Sequence, residues 1–195
     1  MQTRDEDCVT NIFLSSNHNH ILYFTNTGRV YRTKTWQIPE AGRNAKGTPV
    51  INVIDLEEGE KITEVLSVDK VDENTNFVMV TKHGIIKKIS ADSFKNIRRG
   101  GLRAVNLKDD DELIAVRKLE GNKDIFVATK DGMAIRFSQS DLRSLGRTAA
   151  GVKAITLNEG DHVIGAEVID DGLKLLIVSK NGYGKCCLLY TSPSP

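Results

Sequence analysis

Apolar and polar residues alternate in short runs along the chain, and successive runs are joined by turns that end in glycine. The segments that share this pattern are residues 20–33, 76–89, 124–137 and 173–186. Their turn glycines are Gly28, Gly84, Gly132 and Gly182. Because a period of two is typical of half-buried strands and a polar residue before Gly favours a tight turn, each segment predicts a β-hairpin. The glycines are 56, 48 and 50 residues apart, which indicates a repeat.

Further strands are predicted between the hairpins. Segments that begin at Gly47, Gly101 and Gly151 carry a short apolar run, and each is followed by an acidic turn and another apolar strand. Each unit therefore holds about four short strands, the last of which closes the unit. Residues 7–14 have the form of a closing strand, so we expect them to end a unit that begins before Met1.

Helical structure is expected to be slight. Single turns with Ser or Asp caps are predicted within residues 91–97 and 138–145, between a hairpin and the strand that follows it.

About four strands in about 50 residues favour a propeller blade over a helical solenoid. We therefore predict an all-β fold, a propeller-like array of four-stranded antiparallel blades. It would be incomplete, with about three blades and partial ends. The repeats are assigned to residues 20–68, 76–119, 124–169 and a truncated 173–185. Two β-sandwiches or barrels are the alternative, because alternating strands alone allow them.

The composition is that of an ordinary soluble domain, with 195 residues, 27% charged and 39% hydrophobic. No apolar run approaches the roughly 18 residues that span a bilayer, and we expect no signal peptide. The cysteines, Cys8, Cys186 and Cys187, show no disulfide spacing. We expect a cytoplasmic protein that does not bind membranes.

Charge is sorted within each unit although the net charge is only +1. The segments after the hairpin glycines are basic, with net charges of +4 for residues 28–49, +6 for 82–103 and +3 for 130–153. The intervening segments are acidic, with −6 for residues 54–76, −2 for 104–124 and −5 for 154–173. Because units repeat in space, the bases are predicted to form one stripe that binds a polyanion. The alternative is a surface charge that serves solubility alone.

The stretch GRVYRTKTWQIPEAGRNAKGTPVINVI at residues 28–54 resembles the C-terminal domain of the DNA gyrase A subunit, which is a propeller-like array called a β-pinwheel. Residues 59–63, 111–116, 151–155 and 181–185 share the likeness, which covers roughly residues 5–185. The resemblance implies that this domain, residues 1–185, wraps duplex DNA on a basic perimeter. It would support supercoiling by an ATP-dependent type II topoisomerase, in an A2B2 heterotetramer that also contains the N-terminal part of the A subunit, together with the gyrase B subunit.

Carried over to this sequence, the resemblance implies that basic loops and strands contact the DNA. The implied contacts are Arg29, Arg32, Lys34, Arg43, Lys46, Lys87, Lys88, Lys95, Arg98, Arg99, Arg103, Arg136, Arg143, Arg147 and Lys153. Since these contacts go to the backbone, sequence preference is expected to come mainly from DNA deformability.

The chain departs from the family pattern in two places. The signature heptad Gln-Arg-Arg-Gly-Gly-Lys-Gly is absent, although residues 98–101 resemble its middle, so the topoisomerase IV A subunit stays open as an alternative. A protein-binding propeller is a second alternative. Residues 186–195 lack the basic loop expected next, and we interpret them as a non-native or divergent tail.

No catalytic set is visible, and we expect no catalytic residue, metal or cofactor here, with ATP and Mg²⁺ used by the full enzyme. Tyr23, Tyr31 and Tyr183 lie in strand patterns and are interpreted as packing residues. The acidic run at residues 109–112 is interpreted as a solvated turn rather than a cation site.

Overall fold

The computed structural model describes residues 9, 11–42, 45–170 and 173–188 of the chain. Its strands are β1 His20–Thr25, β2 Arg29–Lys34, β3 Ile62–Val68, β4 Asn76–Thr81, β5 Ile85–Ser90, β6 Leu102–Arg103, β7 Leu113–Leu119, β8 Asp124–Thr129, β9 Ala134–Ser138, β10 Val152–Lys153, β11 Val163–Ile169, β12 Lys174–Val178 and β13 Gly184–Leu188. Short 3₁₀ turns cover Thr35–Gln37, Val50–Asn52, Ala91–Phe94 and Gln139–Asp141. The predicted all-β fold is confirmed.

The strands form antiparallel sheets, one for each repeat. Blade 1 has the order β3-β1-β2-β6, blade 2 has β10-β5-β4-β7 and blade 3 has β11-β8-β9, while β12 and β13 pair as a separate hairpin. All four predicted hairpins are present, and each closing strand pairs with the first strand of its own hairpin.

The blades exchange a strand, which the sequence did not predict. Strand β6 follows the blade 2 hairpin along the chain but pairs with β2 of blade 1, with Val30 opposite Leu102. Strand β10 follows the blade 3 hairpin and pairs in the same way with β5 of blade 2. Blades 1 and 2 are thus each completed by a strand from the unit that follows, so these neighbouring blades are joined by backbone hydrogen bonds as well as by packing.

The two larger hydrophobic clusters of the described residues lie between blades. Phe24 of blade 1 meets Phe77 and Phe94 of blade 2, with ring centroids 5.9 and 6.1 Å apart in edge-to-face geometry. A second cluster, which includes Val80 and Val127, joins blades 2 and 3. Because a single sheet cannot cover both of its own faces, this packing is what makes the repeats depend on one another.

The closing strands β3, β7 and β11 lie against one another and carry an ion-pair ladder. Arg117 on β7 binds Glu64 on β3 and, with its Nη2 atom 2.6 Å from Oε1, Glu167 on β11. The hydrogen bond and charge of Glu167, together with those of Glu64, raise the pKa of Arg117. One side chain therefore connects three blades at the sheet edge opposite β6 and β10.

Two predicted strands are absent from the described residues. The run after Gly47 forms the 3₁₀ turn Val50–Asn52, because no described strand lies beside it as β2 lies beside β6. Val50, Val53 and Ile54 of this run belong instead to a cluster with Tyr23 and Tyr31 on the face of blade 1. Residue 9 and residues 11–14 are not in a strand, and residues 7, 8 and 10 lie outside the described part.

The acidic turns hold the hairpins rather than only facing solvent. Asp111 is 9% exposed, and its Oδ1 accepts hydrogen bonds from the backbone N–H groups of His83 and Glu112, both at 2.9 Å. Asp161 does the same for Asp131 in blade 3, at 3.1 Å. Burial opposes ionisation of Asp161, but hydrogen bonds from Thr129 and from backbone groups hold its pKa below the usual value. The interpretation of residues 109–112 as a solvated turn was therefore wrong for Asp111, which is buried.

The two helical turns predicted within residues 91–97 and 138–145 are confirmed. Ser90 and Ser138 cap them with their side-chain oxygens. Tyr23 and Tyr31 are buried as predicted, but Tyr183 is exposed, so its assignment as a packing residue was wrong.

Cys186 and Cys187 belong to β13 and pair with Leu176 and Leu175, and the remainder of the proposed tail, residues 189–195, lies outside the described part.

Candidate nucleic-acid interface

The basic side chains on β2 of blade 1 are occupied by contacts within the fold. Arg29 pairs with Glu57, and its Nε lies 3.9 Å from Glu60. Arg32 donates to the backbone carbonyl oxygen of Lys95 at 2.6 Å, and burial lowers its pKa. Lys34 donates to a backbone carbonyl 16 residues earlier, at 3.0 Å. These three predicted DNA contacts are held against the protein.

The strand cations of blades 2 and 3 are held in the same way. Lys87 is 1% exposed, and burial, with the charge of Arg147, lowers its pKa to about 8. Lys88 donates to the carbonyl of Gln139 at 3.3 Å, and Arg136 pairs with Asp124 at 2.6 Å. Lys87 in particular lies too deep to contact a phosphate without a rearrangement of the loops above it.

The remaining described candidates are exposed and lie in the loops and two-residue strands that follow the hairpins. We call these the loop cations. They are Lys46, Lys95, Arg98, Arg99, Arg103, Arg143, Arg147 and Lys153. Arg43, the last predicted contact, lies outside the described residues.

Most loop cations have no acidic partner among the described residues. Lys95 pairs with Asp92, and Arg99 pairs with Asp55 through Nε and Oδ2 at 3.0 Å. Both pairs are exposed, so they are worth little and can exchange for another anion. The other six loop cations make no ion pair with a described residue. Their charges are therefore available to a polyanion.

The loop that carries Arg98 and Arg99 is anchored to blade 1. Gly101 has φ +75°, and a Cβ at that position would lie 2.7 Å from the Tyr31 ring, so the loop crosses the ring in close contact. The carbonyl of Gly100 accepts a hydrogen bond from Arg29 Nη2 at 2.5 Å. The glycines that resemble the family motif thus fix the backbone, while the two arginine side chains extend into solvent.

The loop that carries Arg143 and Arg147 is anchored to blade 2. The N–H of Leu145 donates to the carbonyl of Lys88 at 2.8 Å, and Asn106 donates to the carbonyl of Thr148 at 2.8 Å. Strand β10 then places Lys153 opposite Ile85. Both of these basic loops are therefore positioned by the preceding blade.

The loops lead to β6 and β10, at the edge of each sheet opposite the closing strands. Between residues 95 and 103, and again between 143 and 153, the sequence contains no acidic residue. An edge with cations on anchored backbones, and without nearby acids in the same loops, can neutralise successive phosphates of a nucleic acid.

Sequence reasoning missed Arg117, because it lies in a segment whose net charge is negative and its two partners are about 50 residues away on either side. It also missed that strand cations donate to carbonyls of the next unit, since backbone acceptors leave no mark in a sequence. The available signal was the recurrence of a cation four residues after the hairpin glycine, at Arg32, Lys88 and Arg136, of which the first two make such contacts.

The strand-exchanging blades define a propeller-like repeat domain with a basic edge. The family model described as "DNA gyrase C-terminal domain, beta-propeller" matches residues 19–69, 75–120, 123–170 and 173–191, most of the chain. The chain therefore belongs to that family, and the resemblance found in the sequence is confirmed.

A named relative agrees with this family assignment. The DNA gyrase A subunit of Staphylococcus epidermidis is 48% identical over 188 residues, which are 95% of this chain and 21% of that protein. The chain thus spans about a fifth of the length of this relative.

Among solved structures, the C-terminal domain of DNA topoisomerase IV has a TM-score of 0.81 at 27% identity, covering 89% of this chain and 54% of that one. A DNA gyrase A C-terminal domain has a TM-score of 0.72 at 24% identity, covering 88% and 55%. The fold is thus common to both enzymes, whereas the 48% identity lies with gyrase A.

Proposed function

We propose that this chain binds duplex DNA along its loop cations and wraps it as part of a DNA gyrase A subunit. The observation that carries the proposal is the edge described above, where seven of the eight exposed loop cations lie in two loops that the preceding blades hold in place. Because a duplex carries regularly spaced phosphates, a row of cations repeated from blade to blade can follow its backbone.

Wrapping follows from the repetition of this edge. The loops that lead to β6 and β10 lie at corresponding edges of blades 1 and 2, and we expect DNA that follows both loops to bend with the array. Bending costs free energy that depends on the sequence being bent, and the phosphate contacts repay it. We therefore expect weak sequence preference, set by deformability rather than by base contacts.

The rest of the proposal concerns the whole protein. The chain would supply the wrapped segment to an ATP-dependent type II topoisomerase that supercoils DNA, with catalysis and ATP and Mg²⁺ use elsewhere in the A2B2 assembly with the gyrase B subunit. A cytoplasmic location fits this role. Within the described residues, no helix is long and apolar enough to cross a membrane.

The test compares two variants that lose the same charge. The first replaces Arg98, Arg103, Arg147 and Lys153 by Gln. The second replaces four other lysines by Gln. They are exposed but lie outside the basic loops: Lys61, Lys70, Lys108 and Lys174. Duplex affinity is measured for both at one salt concentration by fluorescence anisotropy. We expect a loss of at least about 100-fold in the first variant and of less than about fivefold in the second.

Equal losses in the two variants would contradict the proposal, because they would show that net charge, and not the edge, attracts the DNA. The contribution of DNA bending is tested by comparing the affinities of the chain for curved and straight duplexes of equal length. Tighter binding of the curved duplex by the unaltered chain supports wrapping, and equal affinity argues against it.

A further inference from the structure

DNA contact does not explain why a lysine occupies a buried position on strand β5. Lys87 is almost fully buried, and no described carboxylate pairs with it. The same repeat position holds Tyr31 in blade 1 and Ile135 in blade 3. A largely apolar side chain thus serves the packing at this position, whereas burying an ammonium group costs free energy.

The contacts of Lys87 explain its presence. Its Nζ donates to the carbonyl of Ala104 at 2.9 Å and to the carbonyl of Arg147 at 2.8 Å. Ala104 directly follows the loop cation Arg103, and Arg147 is itself a loop cation. The buried ammonium group of Lys87 therefore links the backbone next to Arg103, in the second repeat, to the backbone of Arg147, in the third repeat.

Other strand cations act on the loops in the same manner. Arg29 donates to the carbonyl of Gly100, next to Arg99, and Arg32 donates to the carbonyl of Lys95. Lys88 donates to the carbonyl of Gln139, at the start of the turn before Arg143. In each case a strand of one blade holds the loop of the next unit through its carbonyl groups.

We propose that Lys87 is a positioning residue for DNA binding, whose ammonium group fixes the spacing of Arg103 and Arg147 and does not itself contact the DNA. The proposal rests on the DNA binding proposed above. It divides the basic residues of each unit into two classes: loop cations that meet phosphates, and strand cations that place the loops.

A double-mutant cycle on duplex affinity tests this division. R147A removes a phosphate contact but keeps the carbonyl that Lys87 binds, and we expect it to weaken binding about three- to tenfold in the unaltered chain. In a K87M background Arg147 is no longer held in place, so R147A should weaken binding less than about twofold. The matched control pairs R147A with K46M, a loop cation of another unit, and the two effects should be additive.

Amine labelling of the unaltered chain avoids any effect of K87M on folding. Burial lowers the pKa of Lys87 to about 8, so at pH 8 slow acetylation reports inaccessibility rather than protonation. We expect slow labelling of Lys87 with or without DNA. Lys153 should be labelled rapidly in the free protein and protected by DNA.

The outcomes separate this inference from the proposed function. If the unaltered chain does not bind duplex DNA at low salt, the proposed function fails, and the positioning role fails with it. If it binds and the Lys87–Arg147 cycle is additive, only the positioning role fails. Rapid labelling of Lys87 in the free protein that DNA then suppresses would likewise overturn it, since that pattern marks a direct contact.

Discussion

Replacing Gly101 by Ala tests the close contact with Tyr31 through which blade 1 holds the basic loop of the second repeat. Gly101 lies one residue before β6, the strand that blade 2 donates to blade 1. The new methyl group would lie 2.7 Å from Cε1 of Tyr31, closer than carbon atoms approach without a shift. The Tyr31 ring is 1% exposed and has little room to move.

The magnitude has two parts. At φ +75° an L-residue other than glycine costs about 1–2 kcal/mol. Displacing the ring also disturbs the hydrogen bond from the Tyr31 hydroxyl to Glu60 Oε2, which is 2.6 Å long. A hydrogen bond to a charged group contributes about 1.5–3 kcal/mol. We therefore expect G101A to lower the free energy of unfolding by about 3 kcal/mol.

The neighbouring glycine provides the control. A Cβ at Gly100 would have no atom within 4 Å, and its φ lies outside the left-handed region. G100A should therefore change the free energy of unfolding by less than about 0.5 kcal/mol. Urea titration followed by circular dichroism measures both variants against the unaltered chain. Equal stabilities of G101A and G100A would refute the assignment of Gly101 to a close contact with blade 1.

Three further predictions concern the contacts between and within blades. The unfolded chain holds the Lys87 proton up to its usual pKa of 10.5, whereas the folded chain releases it near pH 8, so the free energy of unfolding should rise by roughly 2 kcal/mol between pH 7.5 and 9.5. Thermal melts of K87M should lack this rise, and a rise of the same size in K87M would contradict its assignment to the Lys87 proton. R117M should destabilise by about 1–2 kcal/mol in urea, because Glu64 and Glu167 lose their shared partner; no change would show that the ladder contributes nothing. D111A should cost about 1–2 kcal/mol through the uncapped hairpin turn yet leave duplex affinity within about twofold, and a large change in affinity would show that the turn reaches the DNA.

The hairpins could be predicted from the sequence because their causes are local. A period of two along each strand and a glycine in each turn are read within about 14 residues. The pairing of β6 with blade 1 and of β10 with blade 2 could not be predicted. Strand β6 has two residues, too few to show a period, and its partner Arg29 is 74 positions before Arg103. Pairing over such a distance depends on the packing of whole blades.

The candidate site divides in the same way. Exposed cations such as Arg98 and Lys153 could be predicted from charge alone, since the loops contain no acid. The buried state of Lys87 could not, because Lys88 beside it carries the same charge and side-chain length. Alternation along β5 turns one lysine to the loop backbones and the next to the turn at Gln139. Only the positions of the carbonyl acceptors distinguish the two roles.

The salt dependence of duplex binding by the unaltered chain tests most directly whether the loop cations form the DNA-binding edge. Six loop cations have no acidic partner among the described residues, and each phosphate contact contributes about −0.9 to the slope of log affinity against log salt. We therefore expect a slope of about −5. A slope shallower than about −2, or no binding at low salt, would contradict the assignment of these residues to a DNA-binding edge.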